Sequence, residues 1–134
     1  KIANAPEVIA WGTGSALREF LHVDDMAAAS VFVMNLGKDV FNNQVKPTQS
    51  HLNVGTGIDC SIKKLTEIIA KVVGFQGSII WDETKPDGAP RKLMDSKKLN
   101  DLGWYPFIDL KSGLDGTYKN YLELANHKHV SGVN

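Results

Sequence analysis

The run DDMAAASVFVMNL, Asp24 to Leu36, constrains the fold more than any other stretch of this chain. Its apolar residues lie nearly all round a helix rather than along one stripe, so the helix needs cover on more than one side. That demand predicts burial between layers, and Ala27, Ala28 and Ala29 permit close backbone approach. The helix is expected to run to about Leu36 or Gly37. Asp24 and Asp25 are placed to cap its free amides and suit the positive end of its dipole. Just before it, in REFLHV, Leu21 and Val23 alternate with Arg18, Phe20 and His22. This is the period of a strand, and it puts Arg18, Phe20 and His22 on one face.

The remaining elements follow from the same patterns. A polar loop containing Pro47 leads to HLNVGTG, which reads as a short buried strand broken by a glycine turn. Ser61 is placed to cap SIKKLTEIIAKVVG, where Ile62, Leu65, Ile69 and Val72 form a helical stripe, Ile68 and Val73 widen it, and Gly74 ends it. GSIIWD is a β-type run, whereas two prolines and a glycine make ETKPDGAPRK a loop. A short helix is expected from Ser96 to Leu102, ending at Gly103. A last helix is expected from about Leu110 to Ala125, with Leu114, Tyr118, Tyr121, Leu122 and Ala125 on one face. The tail from residue 127 to 134 carries too few apolar residues to pack and is expected to be flexible. The sum is a mixed α/β chain of three or four strands and four helices, its 134 residues forming one domain over 1–126 with a single core.

Composition narrows the partners. Fifteen basic residues balance 15 acidic ones, so the basic field that nucleic acid or an anionic membrane surface would need is missing. No apolar run approaches the roughly 20 residues of a membrane span. Cys60 is the single cysteine and cannot form an internal disulfide, which suits a reducing cytoplasmic setting. The four histidines and Cys60 show no metal-ligand spacing, so no metal is expected. The chain opens at Lys1 without a methionine and enters dense glycine and aromatic sequence at once, which reads as a piece of something longer.

Two places could carry chemistry. Arg18 offers a planar fork of donors that matches phosphate or carboxylate oxygens, and with Trp11 and Phe20 near it could hold a phosphate together with a flat ring. A surface ion pair with Glu19 or an aspartate satisfies the same pattern, and Trp11 alone also suits a core. In KPDGAPRKLMD, Asp87 can accept from sugar hydroxyls or a purine edge, and Lys85, Arg91 and Lys92 are cations able to reach a diphosphate; a solvated loop of mixed charge fits equally. WGTG and NVGTG fall short of a G-x-G-x-x-G fingerprint and read as backbone turns. Cys60 beside a helix start has either a lowered thiol pKa or an inert, buried setting. His22 is either an acid–base group or a packed strand histidine.

Taken together, WGTGSALREFLHVDDMA, HLNVGTG, KPDGAPRKLMD and LGW, in that order and spacing, resemble the C-terminal part of extended short-chain dehydrogenase/reductases that act on nucleotide sugars. The resemblance runs from about Val8 to Leu124, and the KPDG-x-PRK-x-x-D loop is most similar to the GDP-sugar epimerase/reductases of that superfamily. It implies a Rossmann-type α/β enzyme of which this chain is the mixed α+β, C-terminal substrate-binding portion. Such enzymes epimerise a GDP-bound 4-keto sugar at C3 and C5 and then reduce C4 with NADPH. The cofactor turn, the Tyr-x-x-x-Lys pair with its serine, and the epimerising Cys and His belong to a preceding NADP-binding domain that is absent here. No G-x-x-G-x-x-G occurs, and neither Tyr105, Tyr118 nor Tyr121 has a lysine four residues on. No catalytic residue is therefore expected in this chain. The resemblance carries over GDP-sugar contacts to Trp11, Arg18 and Asp87, and a further cation near the nucleotide to Lys92. It also implies a homodimer formed through the cofactor domain, and an exposed sheet edge and apolar patch wherever that domain would pack. A substrate domain for a UDP- or dTDP-sugar, or a non-enzymatic interaction module on the same fold, remains open at this point.

Overall fold

A computed structural model describes the backbone of residues 5–130, with side chains as far as residue 126. Ten elements are formed: β1 (Glu7–Trp11), β2 (Leu17–Glu19), α1 (Val23–Met34), α2 (Lys38–Gln44), β3 (Asp59–Ser61), α3 (Ile62–Val73), β4 (Ser78–Asp82), β5 (Arg91–Lys92), α4 (Lys97–Asp101) and α5 (Leu110–Val130). They make two small sheets. β1 and β4, both rich in β-branched residues, pair in parallel from Glu7↔Ser78 to Trp11↔Asp82. In the second sheet the order is β3-β2-β5, antiparallel on the β3 side and parallel on the β5 side.

The clearest sequence signals hold. Ser61 Oγ accepts from the Lys64 amide, 3.1 Å away, at the start of α3, and Gly74 ends the helix at φ +65°. GSIIWD is β4, and Gly103 follows α4 at φ +98°. α3 packs against α5, and Leu65 and Ile69 of its stripe line a cleft with Leu114 and Thr117 of α5. A compact cluster of Ala29, Leu99 and Trp104 is flanked by Leu21, Phe32, Val33, Leu52 and Val54.

Several expectations are corrected. HLNVGTG forms no strand, because no neighbouring segment among the described residues hydrogen-bonds along it; Leu52 and Val54 still pack on the core. β2 stops at Glu19, and His22 has turned off the strand to cap α1, its Nδ1 accepting from the Asp24 amide at 3.2 Å. Asp24 and Asp25 are thus not the caps. Asp25 is 2% exposed and accepts from the Phe107 and Ile108 amides, each at 3.0 Å, which ties the segment before α5 to α1. β1 was not signalled, α2 occupies what reads as a polar loop, and Arg91–Lys92 of the expected loop form β5.

α1 ends at Met34 and is covered on one side only. Asp25 and Ala29 are buried, whereas Val23, Val31 and Met34 are exposed, Met34 to 84%. These exposed apolar side chains on α1 match the uncovered helix that the resemblance implies; Ile9 of β1 and Ile80 of β4 are exposed as well. α5 continues past Ala125, so the backbone of the expected tail is helical as far as Val130; residues 131–134 lie outside the described residues.

Candidate functional site

The site grows from the turn between β1 and β2. Gly12 and Gly14 adopt φ +78° and +73°, where a side chain is strained. Into this turn reaches Asp87 from the loop between β4 and β5. The Thr13 amide donates to its Oδ1 at 2.9 Å, the Thr13 hydroxyl to its Oδ2 at 2.6 Å, and the Ser15 hydroxyl stands 3.4 Å from Oδ2. These donors, the Thr13 hydroxyl first, hold the Asp87 carboxyl below its ordinary 3.8. A Cβ at Gly12 would collide with Oδ1.

Beyond the turn, β2 carries Arg18 between two neighbours in register, Cys60 of β3 and Lys92 of β5. In-register residues project to the same face, so Arg18 and Lys92 stand side by side as two cations. The Arg18 guanidinium donates to the Leu17 carbonyl at 2.6 Å and lies against Gly88, where a Cβ would come within 2.9 Å of Nη2. Among the described residues neither Arg18 nor Lys92 forms an ion pair. The surface ion pair that sequence allowed for Arg18 is therefore not made, and the Glu19 carboxylate is turned to other donors.

The other sequence candidates separate from this pair. Arg91 bonds Asp59 through Nε at 2.5 Å, so it is not a free cation for a diphosphate. Lys85 sits 5.7 Å from the Trp11 ring centroid, and Trp11, 73% exposed, is not a core residue. Phe20 does not join Trp11; it lines a cleft of about 450 Å³ with Ile58, Cys60, Phe107 and the start of α5. Burial pushes the Cys60 thiol up, helped by the charge of Asp59, which runs against the activated reading, although Cys60 is half-buried rather than fully buried. The His22 ring is committed to its cap and packs on Gly113. His127 and His129 lie where side chains are not described.

Sequence reasoning missed Glu19, Asp25 and Gly88. A signal for Glu19 existed, since a threonine between two glycines leaves donors exposed that need an acceptor, and a carboxylate is the strongest one available.

Two small sheets and their helices carry a glycine turn that presents an aromatic and an arginine, and among the described residues that arginine and its neighbouring lysine form no ion pair. The fold is α/β, that of the C-terminal part of a Rossmann-type extended short-chain dehydrogenase/reductase. The model of the NAD dependent epimerase/dehydratase family matches residues 1–55. More particularly, the chain is similar to GDP-L-fucose synthases. It is 55% identical over 120 residues to the GDP-L-fucose synthase of Escherichia coli, covering 90% of this chain and 37% of that protein. It is 50% identical over 123 residues to GDP-L-fucose synthase 1 of Arabidopsis thaliana, covering 92% of this chain and 35% of that one. The chain thus spans little more than a third of the length of these curated relatives, over their C-terminal part. Among solved structures, a GDP-D-glycero-L-gluco-heptose synthase from Campylobacter jejuni, in the presence of NADPH, superposes with a TM-score of 0.76 at 37% identity, covering 86% of this chain and 33% of that one.

Proposed function

We propose that this chain is the GDP-sugar-binding portion of an NADPH-dependent GDP-4-keto-6-deoxy-D-mannose 3,5-epimerase/4-reductase, the activity that makes GDP-L-fucose. The observation that carries the reading is the Arg18–Lys92 pair: two adjacent cations on one sheet face, neither in an ion pair among the described residues. Such a pair favours an anion, and a diphosphate supplies two linked ones. Arg18 clamps it through the planar fork, and Lys92 adds a point charge beside it. Trp11, exposed at the end of β1, offers a flat face to the base or sugar. Asp87 already accepts from three donors, which leaves about one acceptor direction for a sugar hydroxyl.

The cofactor does not fit these residues. The first glycine turn leads into β2 and the second into β3, so neither opens the helix N-terminus on which a dinucleotide pyrophosphate rests. In this reading NADPH, which supplies the hydride, is held by a separate NADP-binding domain preceding a substrate domain of residues 1–126. That domain also carries the catalytic residues and the dimer contacts of a cytoplasmic enzyme. No described helix is long and apolar enough to cross a membrane.

A titration followed by amide NMR tests the reading. GDP is expected to shift the signals of Trp11, Arg18 and the Asp87 loop, with UDP shifting them little. Arg18→Ala is expected to weaken GDP binding by roughly 2 to 4 kcal/mol, much of it the cost of an unpaired phosphate charge. A loss below about 0.5 kcal/mol returns Arg18 to an ordinary surface cation. Equal response to UDP favours a UDP- or dTDP-sugar enzyme, and no response to either favours an interaction module.

A further inference from the structure

Glu19 follows Arg18 on β2, and its side chain points to the opposite face of the sheet. Its carboxylate is half-buried and gathers donors from two other segments. The Gly57 amide donates to Oε1 at 2.6 Å, and the Met94 amide donates to Oε2 at 3.0 Å. Thr56 Oγ1 stands 3.3 Å from Oε1 and 3.0 Å from the Ile58 carbonyl, so its single hydrogen is shared between them. Gly55 makes the approach feasible, since a Cβ there would lie 2.6 Å from Oε1.

The Met94 bond matters because of where it falls. β5 has only two residues, Arg91 and Lys92, and pairs with β2 over Leu17↔Arg91 and Arg18↔Lys92. Two residues supply too little ladder to hold an edge strand by itself. Its upstream end is fastened by the Leu17 amide donating to the Pro90 carbonyl at 2.8 Å, and Arg91 is anchored on Asp59. The downstream end, just past Lys92, is fastened by Glu19. A charged acceptor for two backbone amides is a strong tie, and it joins the strand of Arg18, the strand of Lys92 and the 55–57 turn at one point.

We propose that Glu19 is the positioning residue of this site, holding Lys92 beside Arg18 by accepting from the Met94 and Gly57 amides; this rests on the reading of Arg18 and Lys92 as a diphosphate clamp. Glu19→Gln keeps the shape but turns one acceptor into a donor facing an amide hydrogen. With GDP as the probe and the whole chain as the protein, Glu19→Gln is expected to weaken binding by about the same several-fold factor as Lys92→Ala. Adding Lys92→Ala to Glu19→Gln then costs little more, because the lysine is already out of place. The amide spectrum of α3 and α5 stays unchanged. A role in general stability alone makes the two effects multiply instead, and that result overturns the proposal. Should Glu19→Gln fail to fold, hydrogen exchange of the unaltered chain decides: protected Gly57 and Met94 amides support the tie, and freely exchanging ones overturn it. Arg18→Ala separates the two ideas. If it leaves GDP affinity unchanged, the clamp reading falls and takes this proposal with it; an Arg18→Ala loss beside multiplying Glu19→Gln and Lys92→Ala effects overturns the Glu19 assignment alone.

Discussion

The chain contains two Gly-Thr-Gly turns, Gly12–Gly14 and Gly55–Gly57, and each folds round a carboxylate from a distant part of the sequence. In both, the first glycine clears room for an oxygen, a backbone amide donates to that oxygen, and the threonine hydroxyl stands within reach of the carboxylate. The difference lies in solvent and in the donors. Glu19 is half-buried and holds amides of two separate segments, whereas Asp87 is exposed and takes its bonds from the turn it fills. One local sequence therefore makes an interior joint in one place and a surface latch in the other. The latch lies next to Trp11 in the chain, beside the turn that leads to Arg18; the joint lies behind the cation pair.

Alanine at the first glycine of each turn separates joint from latch. Gly55→Ala drives a Cβ into a carboxylate that two backbone amides hold in place, so something in the joint must break. Overpacking together with a lost charged hydrogen bond is expected to cost about 3 kcal/mol in urea unfolding. Gly12→Ala forces a side chain into a left-handed conformation and displaces Asp87, but Asp87 is free to swing into water. Its expected cost is about 1 to 2 kcal/mol, chiefly backbone strain. Equal costs, or the reverse order, break the distinction.

Thr56→Val and Thr13→Val probe the hydroxyls. Thr56 divides one hydrogen between Glu19 and the Ile58 carbonyl, and its loss is expected to cost about 1 kcal/mol in the same measurement. Thr13→Val acts on exposed groups, and its expected signature is local: the Asp87 carboxyl rises toward its ordinary value, read by carboxyl NMR, while the unfolding midpoint scarcely moves. A Thr13→Val midpoint shift larger than that of Thr56→Val reverses the assignment of latch and joint.

How far these features were legible follows from their range. α3 was readable because its cap, apolar stripe and terminating glycine all lie within one stretch. HLNVGTG carries an equally good apolar signal, but a strand needs a partner's hydrogen bonds, and pattern cannot report whether one is present. The two aspartates at 24 and 25 look alike in sequence. Only the helix rotation sends Asp25 inward to amides 82 and 83 residues away. Arg18 and Lys92 are legible as separate candidates from their chemistry, and the family resemblance adds to both, but their pairing is a matter of register, fixed by a two-residue strand inside what reads as a loop. Glu19 reads in sequence only as a neighbour for Arg18, because its acceptor role depends on amides 38 and 75 residues away.

The smallest expected effect is a pH dependence confined to the latch. Donation from Thr13, its hydroxyl first and its amide next, makes the Asp87 carboxyl more acidic in the folded chain than its ordinary 3.8. A carboxyl that is more acidic when folded stabilises the fold above its unfolded pKa, and that contribution is lost as pH falls through the lower, folded value. Asp87→Asn removes the charge at every pH. The wild-type chain is therefore expected to melt slightly above Asp87→Asn from pH 7 down to about 4.5, with the gap closing as the pH drops below the ordinary carboxylate value. Asp59 and Asp109, held low by Arg91 and by Ser112, titrate in both proteins and cancel from the difference. A gap that persists unchanged to about pH 2 would show that Thr13 and Asp87 are joined by something other than the charge. The turn would then be a second joint, and the contrast with Glu19 would disappear.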